Sequence, residues 1–520
     1  MLARGCTRCV AQARGPASIR LRTSLARASP GRRFSTSSAH AAGSASSSGS
    51  AVGALAPFVS ELDRMAPSFD VRGGDIRILR TPTDFYETLK DRIRNAKHRI
   101  FLSTLYIGKS ERELIDTLRD ALARNPDLKL SILTDALRGT RESPDPSCAS
   151  LLAPLVAEFG PRVEVRMYHT PNLTGARKRY IPRRINEGWG LQHMKLYGVD
   201  NEIILSGANL STDYFTNRQD RYHLFSSKQV TDYFWNIHSG VASFSFLVEP
   251  SDEPAGFALT WPRSNSAPSP LQHPKAFVKS TTATLERLIS PSAAAASHKL
   301  AAGPGDAELA DTRVYMLAQM SQVMRPDTST ELPVLTRILE RLAQPAYAGS
   351  RWTFTAGYFN PAPSLSKLLL ETASSRNVVI TAAPEANGFY RSKGVSGLLP
   401  DAYVLLARRF EWRRGTAGHP GGWTYHAKGL WVTMPGEDDP AVALVGSSNY
   451  TRRSYSLDLE VGALVVTRDA DLRRRLGEEE RWLQEHARTV TRDDFARNDR
   501  RVGLKVRIAM WIVQLVGGAL

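Results

Sequence analysis

The sequence predicts an α/β fold of two similar halves, because two sets of polar residues recur along the chain in the same order. Each set contains a histidine, a lysine two residues later, an asparagine, and a carboxylate eleven residues after the asparagine. The first set is His193, Lys195, Asn209 and Asp220. The second set is His426, Lys428, Asn449 and Glu460. The shared order and spacing indicate an internal duplication.

The distance from histidine to asparagine differs between the copies, at 16 residues in the first and 23 in the second. Segment 434–440 reads Met-Pro-Gly-Glu-Asp-Asp-Pro, which is typical of a turn. Its length of seven residues equals the difference between the copies. We therefore predict an inserted turn in the second copy, without which the two copies align.

The predicted elements ahead of each histidine also follow one order, a buried strand, a helix and a second strand. In the first half they lie at 99–106, 114–123 and 128–133. In the second half they lie at 352–358, 365–373 and 378–382. Alternating strands and helices are typical of α/β domains, so we predict one α/β lobe at 55–255 and another at 312–505.

The N-terminal residues have the composition of a mitochondrial transit peptide. The first 40 residues contain eight arginines, and no acidic residue precedes Glu61. The long apolar core of a secretory signal is missing from this part of the sequence. We predict a transit peptide at 1–34, cut after Phe34, with a disordered basic tail as the alternative.

Low-complexity composition predicts linkers on both sides of the first lobe. Residues 35–54 are rich in Ser, Ala and Gly, and we expect them to be disordered; residues 256–311 resemble a flexible connection between lobes. The apolar C-terminal residues are too few to span a membrane. We predict an interfacial membrane segment at 506–520, with a helix packed on the lobe as the alternative.

Cysteine content and charge restrict the class of protein. Cys6 and Cys9 fall within the predicted transit peptide, which leaves Cys148 alone, so no intramolecular disulfide or cysteine-based zinc site is expected. The net charge is +17, and about +9 without the eight N-terminal arginines. This charge favours anionic lipid or nucleotide, although nucleic acid would suit it equally. No apolar stretch of about twenty residues occurs, so no transmembrane helix is expected.

The residue types in the two sets suit chemistry at phosphorus. Lysine and asparagine can stabilise the non-bridging oxygens of a phosphodiester or pyrophosphate without a metal. One neutral histidine can attack phosphorus, while the other, protonated, assists the leaving oxygen and then deprotonates the acceptor. Asp220 and Glu460 can each hold an imidazole by its other ring nitrogen. We expect neither a metal nor another cofactor.

The two sets resemble the paired His-x-Lys-x4-Asp motifs of the phospholipase D superfamily, each followed by Gly-Ser-x-Asn. The first copy completes the motif with Asp200, but it has Ser206-Gly207 where the family has Gly-Ser. The second copy keeps Gly-Ser-x-Asn but has Thr433 at the aspartate position. The resemblance implies the phospholipase D fold, two pseudo-symmetric lobes each with a mixed β-sheet flanked by helices, and an active site between them. It adds Asp200 to the candidate catalytic residues, although this aspartate is mainly structural in the family.

A closer resemblance is to the eukaryotic mitochondrial phosphatidylglycerophosphate synthases, over about 55–250 and 310–500. The strings that carry it lie at 135–141, 168–172, the basic run to Arg184, 186–187, 190–195, 206–211, 217–222, 384–390 and 392–396. The resemblance implies transfer of a phosphatidyl group from CDP-diacylglycerol to glycerol 3-phosphate in cardiolipin biosynthesis, through a phosphohistidine. It also implies peripheral contact with an anionic membrane, on the matrix side of the mitochondrial inner membrane, and no nucleic acid partner.

Four basic residues are candidates for holding the acceptor phosphate or the cytidylyl pyrophosphate, since arginine can contact phosphate with two hydrogen bonds. They are Arg138, Arg141, Arg218 and Lys393. Each could equally form a structural salt bridge. The alternative functions are a hydrolase of the same fold, acting on phospholipid or nucleic acid, and a noncatalytic lipid-binding descendant. The second alternative would be expected to have lost a histidine or lysine, and this chain retains all four.

Overall fold

The computed structural model describes residues 48–182, 186–291, 311–383, 412–414 and 422–490. The predicted transit peptide (1–34), the predicted interfacial segment (506–520) and the candidate Lys393 lie outside the described residues.

The first part of the chain contains eleven described strands and nine described helices. The strands are β1 (Ser68–Val71), β2 (Ile76–Leu79), β3 (Arg99–Ser103), β4 (Lys129–Asp135), β5 (Val163–Tyr168), β6 (Leu196–Val199), β7 (Glu202–Ser206), β8 (Arg218–Gln219), β9 (Tyr222–Phe225), β10 (Phe246–Pro250) and β11 (Phe257–Thr260). The helices are α1 (Ser48–Leu62), α2 (Pro82–Arg94), α3 (Arg112–Arg124), α4 (Ala136–Gly139), α5 (Cys148–Phe159), α6 (Gly175–Tyr180), α7 (Thr212–Thr216), α8 (Lys228–Ala242) and α9 (Pro274–Ile289).

The second part contains nine described strands and four described helices. The strands are β12 (Thr312–Gln319), β13 (Arg351–Thr355), β14 (Val378–Thr381), β15 (Trp412–Arg414), β16 (Thr424–Tyr425), β17 (Gly429–Thr433), β18 (Val442–Gly446), β19 (Glu460–Thr467) and β20 (Thr489–Val490). The helices are α10 (Glu331–Leu342), α11 (Pro363–Glu371), α12 (Arg452–Ser456) and α13 (Ala470–Gln484). The six predicted elements are confirmed as β3, α3, β4, β13, α11 and β14.

Local sequence explains why these helices begin and pack where they do. Thr81 and Asp84 form a reciprocal capping box at the start of α2, and Pro82 occupies its first turn. In α3, Leu114 and Leu118 are buried one turn apart on the side that faces the sheet. The strands β3 and β4 are buried along most of their length, as expected for parallel strands covered on both faces.

The first sheet has nine described strands in the order β11-β10-β5-β4-β3-β6-β7-β9-β2. Strands β3, β4 and β5 run parallel to one another, and the flanking pairs are antiparallel. The second sheet has nine described strands in the order β1-β12-β19-β18-β17-β13-β14-β15-β20. Its parallel strands β13, β14 and β15 occupy the positions of β3, β4 and β5. The repeated order agrees with the duplication predicted from the two residue sets.

The predicted insertion 434–440 lies between β17 and β18, where the first half has only the short turn between β6 and β7. Apolar side chains fill three large clusters around the sheets. One covers the outer face of the first sheet with α2, α3 and α5, and another covers the outer face of the second with α1, α10 and α11. The third contains side chains of both sheets together with α8, α9 and α13.

Three predicted boundaries were wrong. Segment 256–311, predicted to be a low-complexity linker, contains β11 and α9, because Phe277, Leu285 and Ile289 recur at helical spacing and are buried. The predicted linker 35–54 overlaps the start of α1. Strand β1, assigned to the first lobe, pairs with β12 of the second sheet, so the chain enters the second sheet before it builds the first. Among the helices of the described ranges, none is long and apolar enough to cross a membrane.

Candidate active site

The segment that carries His193 lies against the segment that carries Glu460. The backbone N–H of His193 donates to the carbonyl of Leu459 at 2.9 Å, and the N–H of Leu459 donates to the carbonyl of Leu191 at 2.8 Å. The N–H of Leu191 donates to Oδ1 of Asp458 at 3.0 Å. These backbone contacts place the side chain of His193 beside that of Glu460.

Each histidine is held by the carboxylate of the other copy. Nδ1 of His193 lies 2.9 Å from both carboxylate oxygens of Glu460. Nδ1 of His426 lies 2.7 Å from Oδ2 of Asp220. All four side chains are almost completely buried. The prediction that each carboxylate holds an imidazole therefore describes this geometry, but the partners are exchanged between the halves.

The pair formed by His426 and Asp220 depends on a small separate sheet. Strand β16 runs parallel to β8, so Thr424 and Tyr425 lie beside Arg218 and Gln219. The N–H of His426 then donates to the carbonyl of Gln219 at 2.8 Å. This register sets the imidazole next to Asp220, the next residue along the other strand.

Further hydrogen bonds hold the two carboxylates. The Ser447 hydroxyl donates to Oε2 of Glu460 at 2.5 Å and accepts from the N–H of Val461 at 3.0 Å. Asp220 accepts from the N–H of Arg221 at 2.8 Å. Because these hydrogen bonds hold the carboxylates in position, the carboxylates can orient the imidazoles as the acid does in a catalytic triad.

Gly207 explains why the departure from Gly-Ser in the first copy is compatible with the site. A Cβ at this position would lie 2.8 Å from Oδ1 of Asp220 and 3.0 Å from Cδ of Lys428. Both contacts are closer than real Cβ atoms normally make. The glycine therefore leaves room for the carboxylate and lysine to approach the same backbone turn.

The two lysines are buried beside the histidines. Nζ of Lys195 donates to the carbonyl of His193 at 2.7 Å, and Nζ of Lys428 donates to the carbonyl of Ser447 at 3.2 Å. Burial holds the pKa of Lys195 well below its ordinary value and also lowers the pKa of Lys428. Burial disfavours the charged forms of the two lysines, and an anion bound between them would stabilise those charged forms.

Burial also sets the protonation of the histidine pairs. It holds the pKa of His193 well below its ordinary value, and the charges of Lys195 and Lys428 act in the same direction. The pKa of His426 is depressed in the same way, by burial and then by Lys428 and Arg218. Burial raises the pKa of Glu460 to about 7 and that of Asp220 to about 6, against the opposing effect of the lysines.

The asparagines differ in their surroundings. Nδ2 of Asn209 donates to the Tyr214 hydroxyl at 3.3 Å, and that hydroxyl lies 3.4 Å from Nε2 of His426. The Tyr214 hydroxyl therefore links the amide of Asn209 to the imidazole of His426. Oδ1 of Asn209 and Oδ1 of Asn449 are both buried without a partner among the described residues.

Asp200 lies away from this cluster, so its assignment as a catalytic residue was wrong. It follows the last residue of β6, whereas His193 precedes the first residue of that strand. Its carboxylate accepts the backbone N–H groups of Lys97, His98 and Arg99 at 2.8 to 3.0 Å. It therefore fixes the turn at the start of β3, as the structural role of this aspartate in the superfamily implies.

Of the four predicted phosphate-binding residues, Arg218 is placed at the site. Its guanidinium lies 4.7 Å from the centre of the Tyr214 ring and 3.0 Å from Oδ2 of Asp213, and its charge contributes to the low pKa of His426. Arg138 pairs with Glu142 at 3.2 Å and lines a cavity of about 250 Å³ that Asp213 also lines.

Arg141 pairs with Glu187 at 2.9 Å. For Arg138 and Arg141, the salt-bridge alternative therefore describes the contacts that the structure shows.

Several functional side chains were not assigned from the sequence. Tyr214 contacts His426, and Asp458 accepts the backbone N–H of Leu191, two residues before His193. Asp135 is completely buried and accepts the N–H of Gln192 at 2.9 Å, which fixes the residue before His193. Asp135 stands inside a string that carried the resemblance, and Tyr214 stands between two of them, but their roles depend on neighbours that are distant in sequence.

Among the described residues, no group of three or more His, Cys, Asp or Glu side chains is arranged to hold a metal ion. Lys195, Lys428 and Arg218 supply cationic groups near the histidines.

Paired histidine and lysine motifs on two mixed sheets define a phospholipase D-like protein, and comparison with known proteins agrees. Residues 89–239 match the family model described as "Cardiolipin synthase, PLD-like domain". The fold is similar to the crystal structure of the phosphatidylserine synthase of Haemophilus influenzae, with a TM-score of 0.65 and 18% identity. That similarity covers 89% of this chain and 97% of the other. The predicted fold class is confirmed.

Sequence relatives identify the family within this class. The chain is 42% identical to the CDP-diacylglycerol–glycerol-3-phosphate 3-phosphatidyltransferase of Saccharomyces pastorianus, over 85% of this chain and 88% of that protein. It is 34% identical to the protein of Mus musculus that has the same name with "mitochondrial" added, over 86% of this chain and 85% of that one. The chain belongs to the family of CDP-diacylglycerol–glycerol-3-phosphate 3-phosphatidyltransferases.

Proposed function

We propose that this chain transfers the phosphatidyl group of CDP-diacylglycerol to sn-glycerol 3-phosphate, giving phosphatidylglycerophosphate and CMP. The observation that carries this proposal is the exchanged pairing of His193 with Glu460 and of His426 with Asp220. It brings two oriented imidazoles and two buried lysines into one site, which suits two successive displacements at phosphorus. The two substrates are those stated in the names of the family members.

In the first step, Nε2 of His193 attacks the phosphorus that carries the diacylglycerol. The bond from phosphorus to the CMP oxygen breaks, and CMP leaves with a proton from His426. Lys195 and Lys428 stabilise the negative charge that builds up on the non-bridging oxygens. The negative charge of the bound diphosphate raises the pKa of His426 from its depressed value, so that this imidazole can carry the proton.

In the second step, a hydroxyl of glycerol 3-phosphate attacks the phosphohistidine. His426 takes the proton from that hydroxyl, the bond from phosphorus to Nε2 breaks, and His193 returns to its neutral form. Two in-line displacements retain the configuration at phosphorus. Glu460 and Asp220 keep Nδ1 protonated in both histidines, which leaves Nε2 as the reacting nitrogen.

The surroundings of His426 suit an acid and base. The hydroxyl of Tyr214 lies 3.4 Å from its Nε2, the nitrogen that gives and takes the proton in the two steps, and can hold that imidazole in place. Arg218 lies near the same histidine and suits a substrate phosphate in that half of the site. The order of roles in the superfamily points to the same assignment.

We further propose that the enzyme acts at the matrix side of the mitochondrial inner membrane as a peripheral protein, without a nucleic acid partner. The mitochondrial names of the mammalian relatives and the arginine-rich N-terminus support this location. A phosphatidylglycerophosphate product made there would serve as the precursor of cardiolipin.

The test is an isotope exchange with purified protein in detergent micelles. We expect labelled CMP to enter CDP-diacylglycerol without glycerol 3-phosphate, and labelled phosphatidylglycerophosphate to form when the acceptor is added. Phosphatidic acid as the main product in the presence of acceptor would instead establish the phospholipase D-type hydrolase. Absent exchange, together with inversion at a chiral phosphorus, would indicate direct attack by glycerol 3-phosphate.

A further inference from the structure

Helix α6 presents a basic and aromatic surface that the proposed chemistry does not use. It contains Arg177, Lys178, Arg179 and Tyr180 in succession, and all four are exposed. Tyr180 is 74% exposed, which among the described residues makes it the most exposed large apolar side chain. The guanidinium of Arg179 lies 5.6 Å from the centre of the Tyr180 ring.

The basic residues of α6 have no acidic partner within the described part of the chain. The one described hydrogen bond of the Arg177 side chain goes to the carbonyl of Asn172, at 3.5 Å. No acidic residue occurs between Glu164 and Glu187 in the sequence, and Glu187 is paired with Arg141. A charged run on a protein surface is commonly balanced by nearby carboxylates. The described part of the chain provides no such carboxylate for α6, so its basic side chains can bind an anion outside the protein.

The base of α6 is fixed to the segment that carries His193. Ile181 and Trp189 pack with the buried side chains of Leu173 and Leu191 in one small apolar cluster. The side chains of Thr170 and Asn172 both donate to the carbonyl of Trp189, at 3.1 and 3.3 Å. Since Leu191 stands two residues before the histidine, the helix lies at the same edge of the first sheet as the active site.

We infer that α6 docks the enzyme on an anionic phospholipid surface, with Tyr180 at the level of the head groups. Arginine and lysine attract anionic lipids from the aqueous side, and an exposed tyrosine beside them suits the interface between head groups and acyl chains. This inference rests on the proposed function for one point, that the substrate lies in a bilayer and must be reached from it. Docking by α6 would then bring the edge that carries His193 to the substrate head group.

The first experiment measures contact directly. A fluorescent, polarity-sensitive probe is attached to Tyr180→Cys in the full chain, with Cys6→Ser and Cys9→Ser to remove competing thiols; Cys148 is buried. We expect a blue shift and a several-fold rise in emission on vesicles of phosphatidylcholine and phosphatidylglycerol, but not on phosphatidylcholine alone. The same probe at Lys279→Cys, on the exposed side of α9, should not respond. Equal responses at the two positions, or none at 180, would overturn the inference.

The second experiment measures the energy of docking. Replacing Arg177, Lys178 and Arg179 by Ala should weaken binding to the anionic vesicles by about a hundredfold, as expected for the loss of three basic side chains near such a surface. The matched control replaces three basic residues that are also exposed, Lys275, Lys279 and Arg287 of α9, by Ala. A similar loss in the control would show that net charge, not α6, drives binding.

A short-chain, monomeric CDP-diacylglycerol separates docking from chemistry. The α6 triple variant should keep its turnover and KM with this soluble substrate while losing activity on vesicles. A raised KM with the soluble substrate would place these residues in substrate binding and contradict docking. If the wild-type protein binds vesicles through α6 but transfers no phosphatidyl group, the proposed function fails while the docking surface stands.

Discussion

The histidine of each copy depends on a residue from the other copy. The two contacts join residues that are 267 and 206 positions apart in sequence, His193 with Glu460 and His426 with Asp220. Burial raises the pKa of each carboxyl, and ionised carboxylates are needed to accept the Nδ1 protons. The proposed activity therefore depends on ionisations close to neutral pH.

The first prediction concerns this dependence. We expect kcat/KM to be full well above pH 7 and to fall as pH drops through 7 and then 6, because Glu460 and Asp220 become protonated in that order. Glu460→Gln should lower kcat by about ten-thousandfold, as loss of the orienting acid does in a triad, and should remove the component near pH 7.

The matched control for Glu460→Gln is Asp200→Asn. Its side chain only fixes the turn at Lys97 and His98, so its turnover per folded molecule should stay near normal while its thermal stability falls. A Glu460→Gln enzyme with an unchanged pH profile would show that this carboxylate does not orient His193.

The second prediction separates the roles of the histidines. CMP is a good leaving group, so its departure needs little help from an acid, whereas the acceptor hydroxyl needs a base. His426→Ala should therefore lose turnover but accumulate phosphatidyl-histidine, detectable by mass spectrometry after incubation with CDP-diacylglycerol. His193→Ala should lose both. Accumulation in His193→Ala instead would assign the nucleophile to His426.

At the scale of elements, a buried ion pair at the start of β9 ties the first sheet to α13 and β18 of the second part. Arg221 bonds Glu479 through two N–H groups at 2.9 and 2.8 Å, with both side chains fully buried. Its guanidinium also donates to the carbonyls of Lys428 and Leu444. The pair thus connects the residue after Asp220 to the backbone of Lys428.

Gly429 leaves the space in which the guanidinium of Arg221 reaches that backbone. Its φ is +150°, and a Cβ there would lie 1.7 Å from Nη1 of Arg221 and 2.4 Å from the carbonyl oxygen of Leu444. The third prediction is that Gly429→Ala lowers the free energy of unfolding by about 3 kcal/mol or more, measured by denaturant titration.

The control for Gly429→Ala is Gly436→Ala. That glycine also has a positive φ, +79°, but a Cβ would meet nothing within 4 Å. It should cost only about 1 kcal/mol, from backbone strain alone. Equal losses in the two variants would mean that the close approach of Arg221 contributes little.

At the scale of the whole molecule, the charges that face the substrate are built into the fold as buried lysines. The fourth prediction is that activity in detergent micelles survives EDTA, because Lys195 and Lys428 supply the positive charge for the phosphate oxygens. Loss of activity that only Mg²⁺ or Mn²⁺ restores would establish metal-assisted transfer instead.

Much of this organisation could be predicted from the sequence. The order of strand and helix, the inserted turn between β17 and β18, and the two residue sets follow from periodicity and spacing, which are local properties of the chain. The family resemblance was confirmed by relatives at up to 42% identity. The segment 256–311 was misjudged because its low-complexity ends concealed the helical spacing of Phe277 and Leu285.

By itself, the sequence determined the α/β class and the duplication, and it predicted the histidines, lysines and carboxylates that the structure brings together. Only the tertiary structure decided which carboxylate serves which histidine, that Asp200 fixes a distant turn, and that Arg221 reaches Lys428 through the space left by Gly429. The physical reason is that spacing fixes where a side chain stands along its own strand. The partner of that side chain depends on how strands that are distant in sequence pack together. This packing is set by the burial of apolar surface across the whole molecule.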